Sequence, residues 1–173
     1  MVQRVVERGR FSARPPEGDV VVFLIGMRFN RPLKVRSWLP VVRAMPRMQA
    51  ELAAHPELGC LHTENWLGRT TISLQYWASV ADLDRYARST DHEHLPAWRA
   101  FNRAIGANGD VGIWHETFVV PSDRIETVYG NMPRFGLAAA TQVGATRDVG
   151  ETARLRLGLS DPDGPPVASM SEQ

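Results

Sequence analysis

The segment DVGIWHETFVVP, residues 110–121, carries a histidine where chemistry is easiest to build. Side chains alternate along a strand, so Val111, Ile113, His115, Thr117 and Val119 share one face and Trp114, Glu116, Phe118 and Val120 the other. An imidazole on an otherwise apolar face titrates near neutral pH and can serve as acid, base or metal ligand; a core histidine bonded to a carbonyl is the competing reading. Cofactor-free acid–base chemistry needs a base to ionise an electron-rich substrate and donors to hold the resulting anion. His115 is the candidate base, and Tyr76, Asn131 and Arg134 are the candidate orienting or anion-stabilising groups, with Arg69 beside them. Arg134 follows a Met-Pro turn that would hold it over a pocket mouth. The substrate would meet Trp114, Trp98, Phe101, Met45 and Met48. Each of these has an ordinary alternative: Tyr76 as a sheet-packing ring, Asn131 as a turn former, the tryptophans as core or interface residues.

His92-x-His94 together with His115 matches no compact metal motif, so no metal site is expected. Haem needs one axial histidine and an apolar slot, which His115, Trp114, Trp98 and the methionines could supply. The expectation is a protein without cofactor, with haem on His115 as the alternative. Ser/His/Asp nucleophile motifs, phosphate-binding glycine loops and Cys-x-x-Cys pairs are absent, which demotes hydrolases and nucleotide-dependent enzymes. The single cysteine, Cys60, is read on one strand face with His62, Glu64 and Trp66.

These residues need elements to position them. VVVFLIGMRFN after Asp19 reads as a buried strand, and Trp38, Val41, Val42, Met45, Met48 and Leu52 recur at helical spacing from about Ser37 to the His55-Pro56 stop. Pro46 should kink or split that helix. CLHTENWLG and TTISLQYWAS, joined at Gly68-Arg69, form a hairpin. In the second of these strands Thr71, Ser73, Gln75 and Trp77 form a polar face expected to meet solvent, another subunit or a partly polar cavity. Ser79-Val80-Ala81-Asp82 has the spacing of a capping box, and a further helix is expected over Leu95–Ile105. A short helix near Leu137–Ala140 follows the Gly130–Pro133 turn, and Leu155, Leu157 and Leu159 would offer at most an edge strand in a disordered tail.

The order strand, helix, strand, strand, helices, strand is an α+β, ferredoxin-like split βαβ arrangement with a four-stranded antiparallel sheet. Residues 1–18 are expected to form an N-terminal arm, 19–142 the domain and 143–173 a flexible tail. The sheet's second face needs cover, which a second copy of the chain would supply, making a homodimer through the sheet face. With 20 basic against 19 acidic side chains the formal charge is +1, which argues against nucleic-acid and membrane partners and for a small-molecule substrate. Without a span or secretory signal in the sequence, the expected compartment is the cytoplasm.

WLGRTTISLQYW (Trp66–Trp77), HLPAWRAFNR (His94–Arg103), GIWHETF (Gly112–Phe118) and NMPRFGL (Asn131–Leu137) together resemble bacterial and fungal monooxygenase-like proteins grouped with the dimeric α/β-barrel proteins. The resemblance runs from about residue 20 to about residue 140. It implies a ferredoxin-like subunit that pairs sheet to sheet as a dimeric α/β barrel. The wider superfamily includes cofactor-free quinone-forming monooxygenases, haem-dependent aldoxime dehydratases, chlorite-degrading haem enzymes, cyclases and degradative isomerases, so it does not select the reaction. The expected activity is monooxygenase-like oxidation, or related acid–base chemistry, on a small apolar or aromatic molecule in a pocket between sheet and helices. A haem-dependent aldoxime-dehydratase-like enzyme and a non-catalytic small-molecule binder are the alternatives.

Overall fold

The computed structural model describes residues 5–89, 108–150 and 152–159. Strands and the longer helices follow in chain order as β1 (Val6–Arg14), β2 (Asp19–Phe29), α1 (Val35–Ala54), β3 (Cys60–Trp66), β4 (Ile72–Trp77), α2 (Val80–Arg88), β5 (Val111–Pro121), β6 (Tyr129–Pro133) and β7 (Gln142–Ala145). The chain divides into two compact units, Val21–Val119 and the segments on either side of it.

The larger unit is built on a four-stranded sheet of order β3-β4-β2-β5. β4 runs antiparallel to both of its neighbours, with Val21 opposite Trp77, Phe23 opposite Gln75 and Ile25 opposite Ser73. Because the side-chain period is two, these residues share one face. That face is the one α1 and α2 cover: Val21, Trp77, Leu52, Leu83 and Tyr86 are buried together, with Phe23 and Cys60 packed on them. Nearby, Met27 and Val111 are buried against Trp38, Val41 and Val42 of α1. The apolar stripe of α1 therefore does what its spacing predicts. α1 is one unbroken helix through both Pro40 and Pro46; its packing against the sheet holds it where each proline withholds a backbone donor.

The polar face of β4 proves to be the buried one. Ser73 and Gln75 are almost fully enclosed, and their polar atoms are answered locally: Trp77 Nε1 donates to Gln75 Oε1 at 3.0 Å, and Gln49 Nε2 of α1 donates to Ser73 Oγ at 3.3 Å. Ile72, Leu74 and Tyr76 face the opposite way.

β3 holds a second departure from simple alternation. Cys60 pairs with Trp77 but His62 pairs with Tyr76, so Leu61 is an extra residue in the ladder. A one-residue bulge reverses the facing of everything before it. Cys60 therefore points into the core while His62, Glu64 and Trp66 point to the opposite face of the sheet, and the expected Cys60–His62 grouping is broken. In the core, burial raises the Cys60 thiol pKa above its ordinary value.

The smaller unit is a three-stranded sheet of order β6-β1-β7. Its central strand lies in the segment expected to be an arm. Phe11, Ser12 and Ala13 are all buried, Phe11 stacks on Tyr129 with ring centroids 5.1 Å apart, and Ser12 Oγ bonds Thr146 Oγ1 at 3.1 Å. The helix expected near residue 137 is a single turn, Leu137–Ala140, and the alternating leucines beyond residue 154 begin in another turn, Ala153–Arg156, in place of an edge strand. No helix among the described residues is long and apolar enough to cross a membrane.

Candidate functional site

The helix-covered face of the larger unit contains an apolar cleft. Met45, Met48 and Leu52 of α1 face Phe23, Ile25, Gln75 and Trp77 of the sheet, with Leu83, Tyr86 and Ala87 of α2 at one end. The free space among them is about 30 Å³, room for a water molecule or two, so a larger guest enters only as the methionine side chains move aside. Tyr86 is fixed there by its hydroxyl, which donates to Glu51 Oε2 at 2.9 Å. Among the described residues of this lining, Gln75 supplies the only amide. Its carbonyl is occupied by Trp77, which fixes the orientation of both side chains at the cleft floor. Methionines suit such a wall because an unbranched thioether adapts to different guest shapes.

His115 lies on this same face of the sheet. Its ring centroid is 5.7 Å from that of Phe23, and the residue is exposed. It therefore stands beside a cleft wall and not inside the lining. Tyr76, expected next to it, is opposite Val22 and on the far face of the sheet. Trp114 is turned away from His115 by the same alternation; its indole nitrogen is buried against Gly26, where an added Cβ would come within 2.7 Å of it. Trp98 and Phe101 lie outside the described residues, as do His92 and His94.

Asn131 and Arg134 belong to the smaller unit and are engaged in holding its sheet. β1 and β6 pair with a register shift between Glu7 and Arg10, at Gly9 with φ +82°. Asn131 faces this irregularity with φ +50°, and its Oδ1 accepts the Gly9 N–H at 2.9 Å. Asparagine tolerates that left-handed backbone better than other side chains. Arg134 Nε donates to Glu7 Oε1 at 2.7 Å, pinning the start of β1 to the end of β6. Both residues, expected to orient substrate, have structural partners far away in sequence.

The sheet face opposite α1 and α2 carries a further titratable pair. His62 Nε2 lies 2.8 Å from Glu64 Oε1, with most of both side chains out of solvent. The signal for it was present, since His-x-Glu on a strand puts both groups on one face.

Elsewhere in the larger unit, the Asp110 carboxylate accepts from Lys34 Nζ at 3.0 Å and Ser37 Oγ at 3.1 Å, with Arg31 3.4 Å away. The Lys34 hydrogen bond is the main reason its pKa lies below the ordinary carboxylate value; desolvation opposes the shift, and Ser37 and the two cations add to it. This cluster ties the start of α1 to the start of β5. Among the described residues, no group of three or more His, Cys, Asp and Glu is arranged to hold a metal ion. Nor does the cleft lining include a histidine, so the described residues place no axial ligand for haem inside it.

Comparisons with known proteins give a family. The model describing monooxygenase af470-like proteins matches residues 20–137. The monooxygenase af470 of Aspergillus fumigatus is 31% identical over 134 residues, covering 71% of this chain and 46% of that protein. The chain thus spans about half the length of the curated relative it matches. Among solved structures, a conserved protein from Methanosarcina mazei Go1 aligns with a TM-score of 0.41 at 12% identity, over 57% of this chain and 91% of that one. By its match over residues 20–137, the chain belongs to the monooxygenase af470-like family.

Proposed function

We propose that the protein is a monooxygenase-type enzyme that takes a small apolar or aromatic molecule into the cleft between α1 and the four-stranded sheet. The observation that carries this reading is the cleft itself, walled by Met45, Met48, Phe23 and Trp77 and floored by one oriented amide, Gln75. Apolar walls with a few fixed polar groups are the usual build of a small-molecule site. The family description, and the name of the relative in Aspergillus fumigatus, favour oxidation as the chemistry.

In this reading no cofactor is needed. His115, at the rim beside Phe23, takes a proton from an electron-rich CH₂ group, and the carbanion reduces dioxygen directly. One oxygen atom remains as a new carbonyl; the other leaves as water with the two hydrogens of the CH₂. The proton that His115 takes up is passed on to the departing oxygen, directly or by exchange through solvent, and completes the water molecule.

The subunit is read as ferredoxin-like, supported by the strand order β3-β4-β2-β5 and by α1 and α2 lying on one face. It is read as a homodimer because the other face presents Ile72, Trp66 and the half-buried Leu24 and Leu74 without a covering helix from α1 or α2. A second sheet packed there closes the dimeric barrel.

The experiment is a panel of phenols, naphthols, anthrones and aldoximes incubated with the purified protein, with and without hemin, while dioxygen uptake and product mass are followed. Uptake with oxygen insertion in the absence of hemin, lost in His115→Ala with the fold retained, supports the assignment. Full activity in His115→Ala removes that residue from the mechanism. Turnover of aldoximes only with hemin replaces oxidation with haem chemistry.

A further inference from the structure

Gln75 is the fixed polar point of a cleft whose other walls can shift. It stands on β4 opposite Phe23 of β2 and is 6% exposed, so folding takes its amide almost wholly out of water. One end of that amide is committed. The Trp77 indole N–H donates to Oε1 at 3.0 Å, and since an indole can only donate, this contact fixes which end is oxygen and which is the NH₂ group. The two Nε2 hydrogens meet no acceptor among the described residues, although Gln75 lines the cleft. The nearby amide of Gln49 differs, because its Nε2 donates to both Asn65 Oδ1 and Ser73 Oγ. A buried donor left without an acceptor is costly, and an oxygen brought into the cleft by a guest would remove that cost.

The sheet relates this donor to His115. β2 lies between β4 and β5, so Phe23 has Gln75 on one side and His115 on the other, with the Phe23 and His115 ring centroids 5.7 Å apart. Two strand spacings separate the base from the amide, about 10 Å between their backbones. A flat guest that moves Met45 and Met48 aside and lies along Phe23 therefore meets His115 at one edge and Gln75 at the opposite edge.

We infer, resting on the monooxygenase reading above, that Gln75 selects the substrate: its Nε2 donates to a keto oxygen set across the ring from the CH₂ group that His115 deprotonates. As the C–H bond breaks, the proton forms an N–H bond on His115 and the electron pair spreads through the ring, leaving negative charge on the keto oxygen. The amide holds that charged oxygen more tightly than the neutral carbonyl, so the contact strengthens as the reaction proceeds. Nothing is oxidised in this step; dioxygen acts on the anion afterwards. A ring of the same shape without the oxygen leaves the buried NH₂ unpaired and is rejected for that reason.

The test compares anthrone with 9,10-dihydroanthracene, the same three rings with the keto group replaced by CH₂. Each is bound to the full chain under nitrogen, so that no turnover intervenes, while NMR follows the Gln75 side-chain NH₂ and the Met45 and Met48 methyls. Anthrone should shift all three and bind about three- to tenfold more tightly than dihydroanthracene, as expected for one neutral hydrogen bond to a buried donor. Gln75→Met, of similar length, should abolish the preference. With dioxygen admitted it should lower kcat for anthrone by about 100-fold and change KM by about tenfold at most, the pattern of a lost oxyanion donor. Equal binding of the two compounds, methionine shifts with none at the Gln75 NH₂, or an undiminished kcat in folded Gln75→Met overturns the role of Gln75 and leaves the cleft reading standing. Unmoved Met45 and Met48 with both compounds defeats the cleft reading and this inference with it. The wild-type comparison decides the matter even where Gln75→Met, which leaves Trp77 Nε1 without its acceptor, fails to fold.

Discussion

Asn131 shows how a residue with the right chemistry acquires a different task. Its amide oxygen satisfies Gly9, 122 positions earlier, and Arg134 pairs with Glu7, 127 positions earlier. Such partners cannot be seen in a local pattern, which is why both side chains read as pocket residues from the sequence. Asn131→Ala should destabilise the fold by about 1–2 kcal/mol, through a lost hydrogen bond and an alanine forced into positive φ, measurable by chemical denaturation. A purely substrate-orienting asparagine would leave stability unchanged and alter turnover alone. Asp110 gives a prediction with a sign. Its folded pKa is lowered, so its contribution is present above the ordinary carboxylate range and disappears as pH falls through the folded value. The stability gap between the wild type and Asp110→Asn should therefore be widest near neutrality and close in acid, as followed by urea melts across pH.

At the scale of elements, much was legible where periodicity is strong. The stripe of α1, the hairpin of β3 and β4 and the strand carrying His115 all lie close to where the pattern puts them. The Ser79 cap is also present: its hydroxyl oxygen accepts the Asp82 N–H at 3.0 Å, while the hydroxyl donates to Asp82 Oδ2 at 2.6 Å where the full box would have the carboxylate take the Ser79 N–H. Ser79→Ala should cost about 1 kcal/mol in thermal or urea unfolding. What the pattern could not give was the bulge at Leu61, since one inserted residue leaves the run of β-formers intact while reversing a face. β1 was invisible for a related reason. Three consecutive buried residues, Phe11–Ala13, break the alternation that marks a strand. Gly59, just before β3, sits at φ +87° with the Asp82 side chain 2.6 Å from where a Cβ would be. Gly59→Ala should destabilise by about 1–3 kcal/mol, combining left-handed strain with that overlap. The central tryptophan sets the upper end of the scale: Trp77, 1% exposed, should cost about 3–5 kcal/mol as Trp77→Ala.

At the scale of the whole molecule, fold class was readable and the placement of the site only partly so. Element order led to a mixed α+β chain with an antiparallel sheet, because helix and strand periods differ and the connections are short. Which face of that sheet is covered could not be inferred from polarity. Gln75 and Ser73 are buried by pairing with Trp77 and Gln49, so the face of β4 with more polar atoms became the core. His115 and the α1 methionines share the covered face, whereas Tyr76 does not, and the proposed chemistry rests on the cleft that those methionines wall. Leu74 lies at the centre of the other face, and Leu74→Glu should turn a dimer into a monomer by light scattering if the sheets pair there.

Methionine-methyl NMR tests the cleft most directly, with an anthrone as the guest. The account predicts saturable shifts of the Met45 and Met48 methyl signals while Met132, on β6, remains unmoved. Unchanged Met45 and Met48 signals at concentrations where the anthrone is consumed would place the reaction elsewhere and contradict the account.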